Sequence, residues 1–211
     1  MKRKISVLLA ALLLCGMLGG CGASGGTAQT DAGMQLTPVE LSEEQTELLA
    51  LANVDLNQTA FALYAYQADE NLHAISFSRY FVNDALEWEP VNEYQARMFD
   101  ETPISPSGRI SLTEEAGKSF TVNIRADGAT YRYGAPDLPD GLPQITAHGF
   151  GSQSGPAGIV YGEEIPLLVR TFRADDSVYV YSADNFYDTA RFEGALFTEA
   201  YTVTFSDTVP E

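Results

Sequence analysis

Asp127-Gly128 stands between two runs of alternating side chains, Val122-Asn123-Ile124-Arg125 and Thr130-Tyr131-Arg132-Tyr133. A two-residue hairpin turn needs φ above zero at both central positions, a conformation that Gly and Asp tolerate best, so the pair predicts a tight antiparallel hairpin. The turn would set Ile124 opposite Tyr131 and Val122 opposite Tyr133, with Arg125 facing Thr130 and Asn123 facing Arg132. One face is then apolar and the other polar, the alternation of a half-buried sheet.

The same local form recurs. Ala68-Asp69 and Ala174-Asp175 also separate β-type runs. They predict a first hairpin in which Tyr66 faces His73, and a third that joins 165–172 to 178–182 about Asp175-Asp176. The spacing of the three copies is too irregular for the blades of a propeller. Further strands are read from alternation at Ile75, Phe77 and Phe81, at Leu86 and Trp88, from Ile110 and Leu112 onward, and at Tyr201, Val203 and Phe205. Ser42 before Glu43, Glu44 and Gln45 is an N-cap signal. With Leu48, Leu49, Leu51 and Ala52 as an apolar stripe, it predicts one short helix over 43–52. Residues 135–158, with four prolines and five glycines, read as an irregular excursion holding one short strand near 144–147. Many short strands after a single helix predict a mainly β domain, an antiparallel β-sandwich, with a lipocalin-like or incomplete barrel as the alternative.

The chain begins with Lys2, Arg3 and Lys4, followed by an apolar run from Ile5 to Leu18. That run is too short for a bilayer, which takes roughly 20 apolar residues, and has the form of a secretory signal. At its end, Leu18-Gly19-Gly20-Cys21 resembles the lipobox of bacterial lipoproteins, in which the cysteine sulfur receives diacylglycerol and the chain is cut just before it. The resemblance covers the leader alone. It implies a signal peptide at 1–20, lipid on Cys21, a membrane as the first partner and an extracytoplasmic location. Gly22 to Gln35 is rich in small residues without periodicity, so residues 21–35 read as a flexible tether and 36–211 as one domain.

Composition narrows the chemistry. The chain has 12 Lys+Arg against 29 Asp+Glu. Removing 1–20 takes three basic residues and no acid, leaving a net charge of −20. Such a charge repels nucleic acid and anionic lipid, and suits solubility or a cationic partner. Cys15 and Cys21 both precede the domain, so its fold has no thiol for a disulfide, a thiolate-bound metal or a nucleophile.

Catalytic patterns are weak. Neither Ser152 nor Ser154 in the glycine-rich run 149–155 sits in Gly-x-Ser-x-Gly, and only His73 and His148 offer an imidazole base. The paired acids Glu43-Glu44, Glu114-Glu115, Glu163-Glu164 and Asp175-Asp176 are sequence neighbours, which in strands point to opposite faces. Asp184, Asn185 and Asp188 lack the order of a calcium loop. The expected function is therefore binding without cofactor or metal, toward an envelope carbohydrate or a protein partner, with an envelope hydrolase using paired carboxylates as the alternative. In the third hairpin Arg170 would face Tyr181, and two arrangements stay open. Either Tyr179 and Tyr181 stand outward beside Arg170 as a platform for a sugar ring or a partner's side chains, or both rings lie in the core.

Overall fold

A computed structural model of the chain describes residues 33–51, 56, 60–115, 119–135, 147–174 and 179–209. Among them are eleven strands and one α-helix. In chain order these are β1 (Gln35–Pro38), α1 (Glu43–Leu51), β2 (Phe61–Gln67), β3 (Ala74–Val82), β4 (Trp88–Phe99), β5 (Ser107–Glu115), β6 (Ser119–Ala126), β7 (Ala129–Gly134), β8 (Ala147–Ser152), β9 (Ala157–Gly158), β10 (Glu164–Arg173) and β11 (Phe197–Ser206). They form two open antiparallel sheets, a six-stranded one in the order β7-β6-β5-β2-β1-β9 and a five-stranded one in the order β4-β3-β11-β10-β8. The domain is a sandwich rather than a closed barrel.

The β6–β7 hairpin turns at Asp127 and Gly128, with φ of 51° and 77°. It pairs Ile124 with Tyr131, Val122 with Tyr133, Arg125 with Thr130 and Asn123 with Arg132, the register read from the alternation. The other two Ala-Asp copies do not make hairpins. After β2 the chain leaves the six-stranded sheet, and β3 enters the other one beside β11 and β4. Tyr66 accordingly pairs with Leu36 and Gly108. His73 donates its backbone N–H to Ser206 O. The third copy fails because β10 is flanked on both sides, by β8 and β11, leaving 179–182 no edge to pair with. The turn proposed at Asp175-Asp176 lies outside the described residues, as do the leader and most of the tether. Residues 144–146 of the short strand expected near 144–147 also lie outside the described residues; the described part of the excursion holds two strands, β8 from Ala147 and β9, and the tether's last residue, Gln35, already opens β1.

Ser42 caps α1 as expected: its hydroxyl accepts from Gln45 N–H, and the Gln45 side chain accepts from Ser42 N–H. The apolar stripe does not dock, however. None of the helix residues is buried, and Leu48 and Leu51 are exposed. Leu86, expected in a strand, sits in the β3–β4 turn with φ of 59°. The Asn83 side chain sets that turn by accepting from the N–H groups of Ala85 and Glu87.

Between the sheets lie Leu36, Tyr64, Ile110, Phe120, Ile124, Leu168, Tyr201, Val203 and Phe205, all buried. One part of this core is charged. The Arg170 Nε donates to Glu199 Oε1 (2.6 Å) and its Nη1 to Glu114 Oε1 (2.5 Å). Arg79 Nε donates to the other Glu199 oxygen (2.8 Å), and the Ala60 N–H donates to Glu114 Oε2 (2.9 Å). Arg79, Arg170 and Glu199 belong to the five-stranded sheet and Glu114 to the six-stranded one, so the cluster ties the layers together. The Arg170 guanidinium also lies over the rings of Phe120 (4.6 Å) and Phe172 (4.7 Å). Removing one charge from such a sealed group strands its partners. Glu199→Gln should therefore cost roughly 3 to 5 kcal/mol in denaturant unfolding, and a variant as stable as the parent would refute the pairing.

Candidate binding surface

A bulge in β10 decides which residues face outward. Pro166 pairs with Thr202 but Leu168 pairs with Tyr201, so one extra residue enters and the alternation flips beyond it. Leu168 and Arg170 then point between the sheets, while Val169, Thr171 and Arg173 take the outer face. Arg170 is thus fully buried against Glu199 and Glu114 and is not brought beside Tyr179 and Tyr181.

The outer face is covered by residues 179–192. They reach it by crossing β8, and the glycine-rich run makes room for them. A Cβ on Gly151 would sit 2.2 Å from the carbonyl carbon and oxygen of Tyr181, and one on Gly149 would sit 3.2 Å from the Tyr181 ring. Glycine at these positions allows close passage of the backbone, not a nucleophile turn. Two 3-10 turns follow, Ala183–Tyr187 and Thr189–Phe192. Ser182 and Asn185 close a capping box at the first. The oxygens weighed for calcium engage local donors: Asn185 Oδ1 accepts from Ser182 N–H, Asp184 Oδ2 from the Ser182 hydroxyl and Asp188 Oδ2 from Arg191 Nε.

Aromatic rings bind this segment to the sheet in one continuous series. Tyr179 stacks on Tyr181 at 6.1 Å, and Tyr181 meets Phe192 at 5.8 Å. Phe192 meets Trp88 edge-on at 5.6 Å, and Trp88 stacks on Phe186 at 5.0 Å. Phe186 then touches Tyr187 at 5.6 Å and Tyr80 at 5.7 Å. Tyr181 and Phe192 are buried with Val169 and Ala200 beneath them. The Trp88 indole donates to Phe186 O at 2.7 Å, which satisfies its one donor.

The two ends of the series are open. Tyr181 is 9% exposed, but Tyr179 is 43% and Tyr187 70% exposed. The two tyrosines expected to act alike therefore divide, one into the covering layer and one to the surface. The cation at Tyr179 is Arg173, whose guanidinium lies 4.2 Å from the ring centre. At the other end, Tyr80 donates to Glu164 Oε1 at 2.5 Å; burial and that carboxylate push its phenol up to about 12. Partial cover, with the charges of Asp184, Glu164 and Glu163, raises Tyr187 also. One end of the surface is thus cationic beneath its ring, and the other is acidic.

Two clefts open among the described residues, the second of them bordering the aromatic series at Phe192. One of about 260 Å³ opens between Pro38–Leu41, Phe61–Tyr64 and Ser152–Ser154. Another of about 300 Å³ lies between 82–86 and 192–198. Glu114 and Glu199 do converge on Arg170, a pattern that would favour a hydrolase in an open site. These groups are sealed in the core, and none of them lines either cleft. His73 sits at the end of a loop, its Nδ1 3.2 Å from Asp100 O. Ser152 and Ser154 line the smaller cleft, and the His148 backbone pairs with Phe172.

Sequence reasoning missed Trp88, Phe186, Phe192 and Tyr80 as parts of one surface. The available signal was the density of aromatics in 179–192, with Tyr179, Tyr181, Phe186, Tyr187 and Phe192 in fourteen residues. Compared with known protein families, with curated proteins and with solved structures, the chain matches none. The division of the tyrosines is directly measurable. Tyr181→Ala should lose about 3 kcal/mol or more and melt far earlier, as buried large-to-small changes do, whereas Tyr179→Ala should shift melting little. Equal losses at both positions would contradict it.

Proposed function

We propose that this chain is an extracytoplasmic bacterial lipoprotein, held at a membrane through lipid on Cys21, whose β domain binds an envelope partner without catalysis or cofactor. The leader supports the anchor: a basic start, an apolar run and Leu18-Gly19-Gly20-Cys21 in the order that lipid attachment needs. No helix among the described residues is long and apolar enough to cross a membrane. On this reading the anchor is the acyl chains on Cys21, whose hold grows by about 0.8 kcal/mol per buried methylene and becomes firm with two or more chains.

The observation that carries the binding role is the pair of open ends on the aromatic series. Exposed tyrosines on a rigid, buried aromatic base lose little side-chain entropy on contact, and they offer both a face and a hydroxyl to a partner. Protein and carbohydrate partners both use such surfaces. Glu164 accepts from the hydroxyls of both Tyr80 and Thr202, which fits positioning of the surface better than acid catalysis.

Two measurements test the parts separately. Cys21→Ala should abolish incorporation of labelled fatty acid and release the protein from membranes; persistence of both would refute the anchor. With the anchor intact, Tyr179→Ala combined with Tyr187→Ala should keep the melting profile and weaken retention of the solubilised protein on isolated envelope by about tenfold, the loss of roughly 1.4 kcal/mol. Unchanged retention would place binding elsewhere.

A further inference from the structure

The smaller cleft has a chemistry of its own. Its volume of about 260 Å³ falls just below the roughly 300 to 1,000 Å³ of sites for drug-sized ligands, so it suits one ring and its substituents. Val39, Leu41, Phe61 and Leu63 supply an apolar wall, and Glu40, Ser152, Gln153 and Ser154 the polar one. No basic side chain lines it among the described residues, which disfavours an anion. The hydroxyl of Tyr64 is already engaged, donating to Leu167 O at 2.5 Å and accepting from Gln153 N–H at 3.2 Å.

Gln153 leaves one group unmatched. Its backbone N–H is shared between Tyr64 Oη and Leu167 O, but its side-chain Oε1 is buried and has no hydrogen-bond partner among the described residues. Nearly all buried polar atoms in folded proteins find a partner, so an orphan on a residue that lines a cleft is a place for a donor from outside once the side chain turns. The terminal torsion of a glutamine is broad, and Gln153 is only half-buried as a whole, so its carbonyl turns toward the cleft at small cost.

We propose that this cleft binds an acetamido sugar. The amide N–H of the acetamido group donates to Gln153 Oε1, and its methyl group lies against Val39, Leu41, Phe61 and Leu63. The ring hydroxyls meet the Glu40 carboxylate and the two serine hydroxyls. One neutral group thereby satisfies both the orphaned acceptor and the apolar wall, which a plain hydroxylated ring would leave wet. An extended peptide also carries N–H donors, but it needs a strand edge to run along. Pro38 ends β1 beside the cleft and Pro156 precedes β9, and neither has an N–H to extend a ladder. No cleft residue belongs to the aromatic series, so this site and the surface proposed above stand or fall independently.

The test is a titration of the full chain, 15N-labelled and solubilised in detergent micelles, with N-acetylglucosamine, glucose and trialanine in parallel. N-acetylglucosamine should give saturable shifts at the amides of Phe61, Leu63, Gln153 and Ser154, with glucose on the order of tenfold weaker. Gln153→Met, which replaces the orphaned amide by an apolar group of similar shape, should melt no earlier than the parent and bind on the order of tenfold more weakly. Phe61→Ala, at a half-buried position, should weaken binding while keeping the fold. Absence of saturation, equal affinity for glucose, tighter binding of trialanine, or full affinity in folded Gln153→Met would each overturn the proposal.

Discussion

Arg170 is the residue on which the arrangement of both layers depends. It is fully buried, paired with Glu199 on the neighbouring strand and with Glu114 on the opposite sheet. Taking these charges out of water is expensive, and their attraction offsets the cost only while every member keeps its partners. The contribution of the cluster is therefore specificity more than stability. A slip of one residue in β10 or β11 would carry Arg170 or Glu199 to the other face and leave its partner charged and alone. In a domain without thiols, this is the restraint that takes the place of a covalent tie between the sheets.

The outer surface follows from the same placement. Because the bulge before Leu168 turns Arg170 inward, Val169 and Arg173 turn outward, and Val169 joins Ala200, Tyr181 and Phe192 in a second buried cluster. Residues 179–192 are held there by rings on one side and by the closeness that Gly149 and Gly151 permit on the other. The base is buried and the ends are open. Three acids are held by neighbours: Glu114 and Glu199 inside the core, and Glu164 by Tyr80 and Thr202.

Local grammar was legible where the local chain decides the outcome. Asp127-Gly128 and its flanking alternation specified the β6–β7 register residue by residue, and Ser42 with Gln45 marked the helix cap. Legibility failed where distant parts decide. Ala68-Asp69 shares the Ala-Asp form of Ala126-Asp127 but has Glu70 where the latter has Gly128, and there the chain changes sheets, since β3 finds β11 and β4 rather than β2. Strand β10 is buried along nearly its whole length and its sequence does not alternate, so alternation could not tell Arg170 from Arg173, and a bulge leaves no mark in composition. Leu48 and Leu51 satisfied a helical stripe, but no other part of the described fold covers them. The Trp88–Phe186–Phe192 stack joins residues about a hundred positions apart, beyond any spacing rule.

On the function we propose, 179–192 is the partner-facing surface of a lipid-anchored sandwich. Amide hydrogen exchange on the native protein in isolated envelope membranes, compared with the same protein in detergent, addresses it directly. The account predicts slower exchange in 179–192 on the envelope, while the amides of β3, β10 and β11 exchange alike in both. Unchanged exchange across 179–192, with protection appearing instead on the exposed helix or the β6–β7 hairpin, would contradict it.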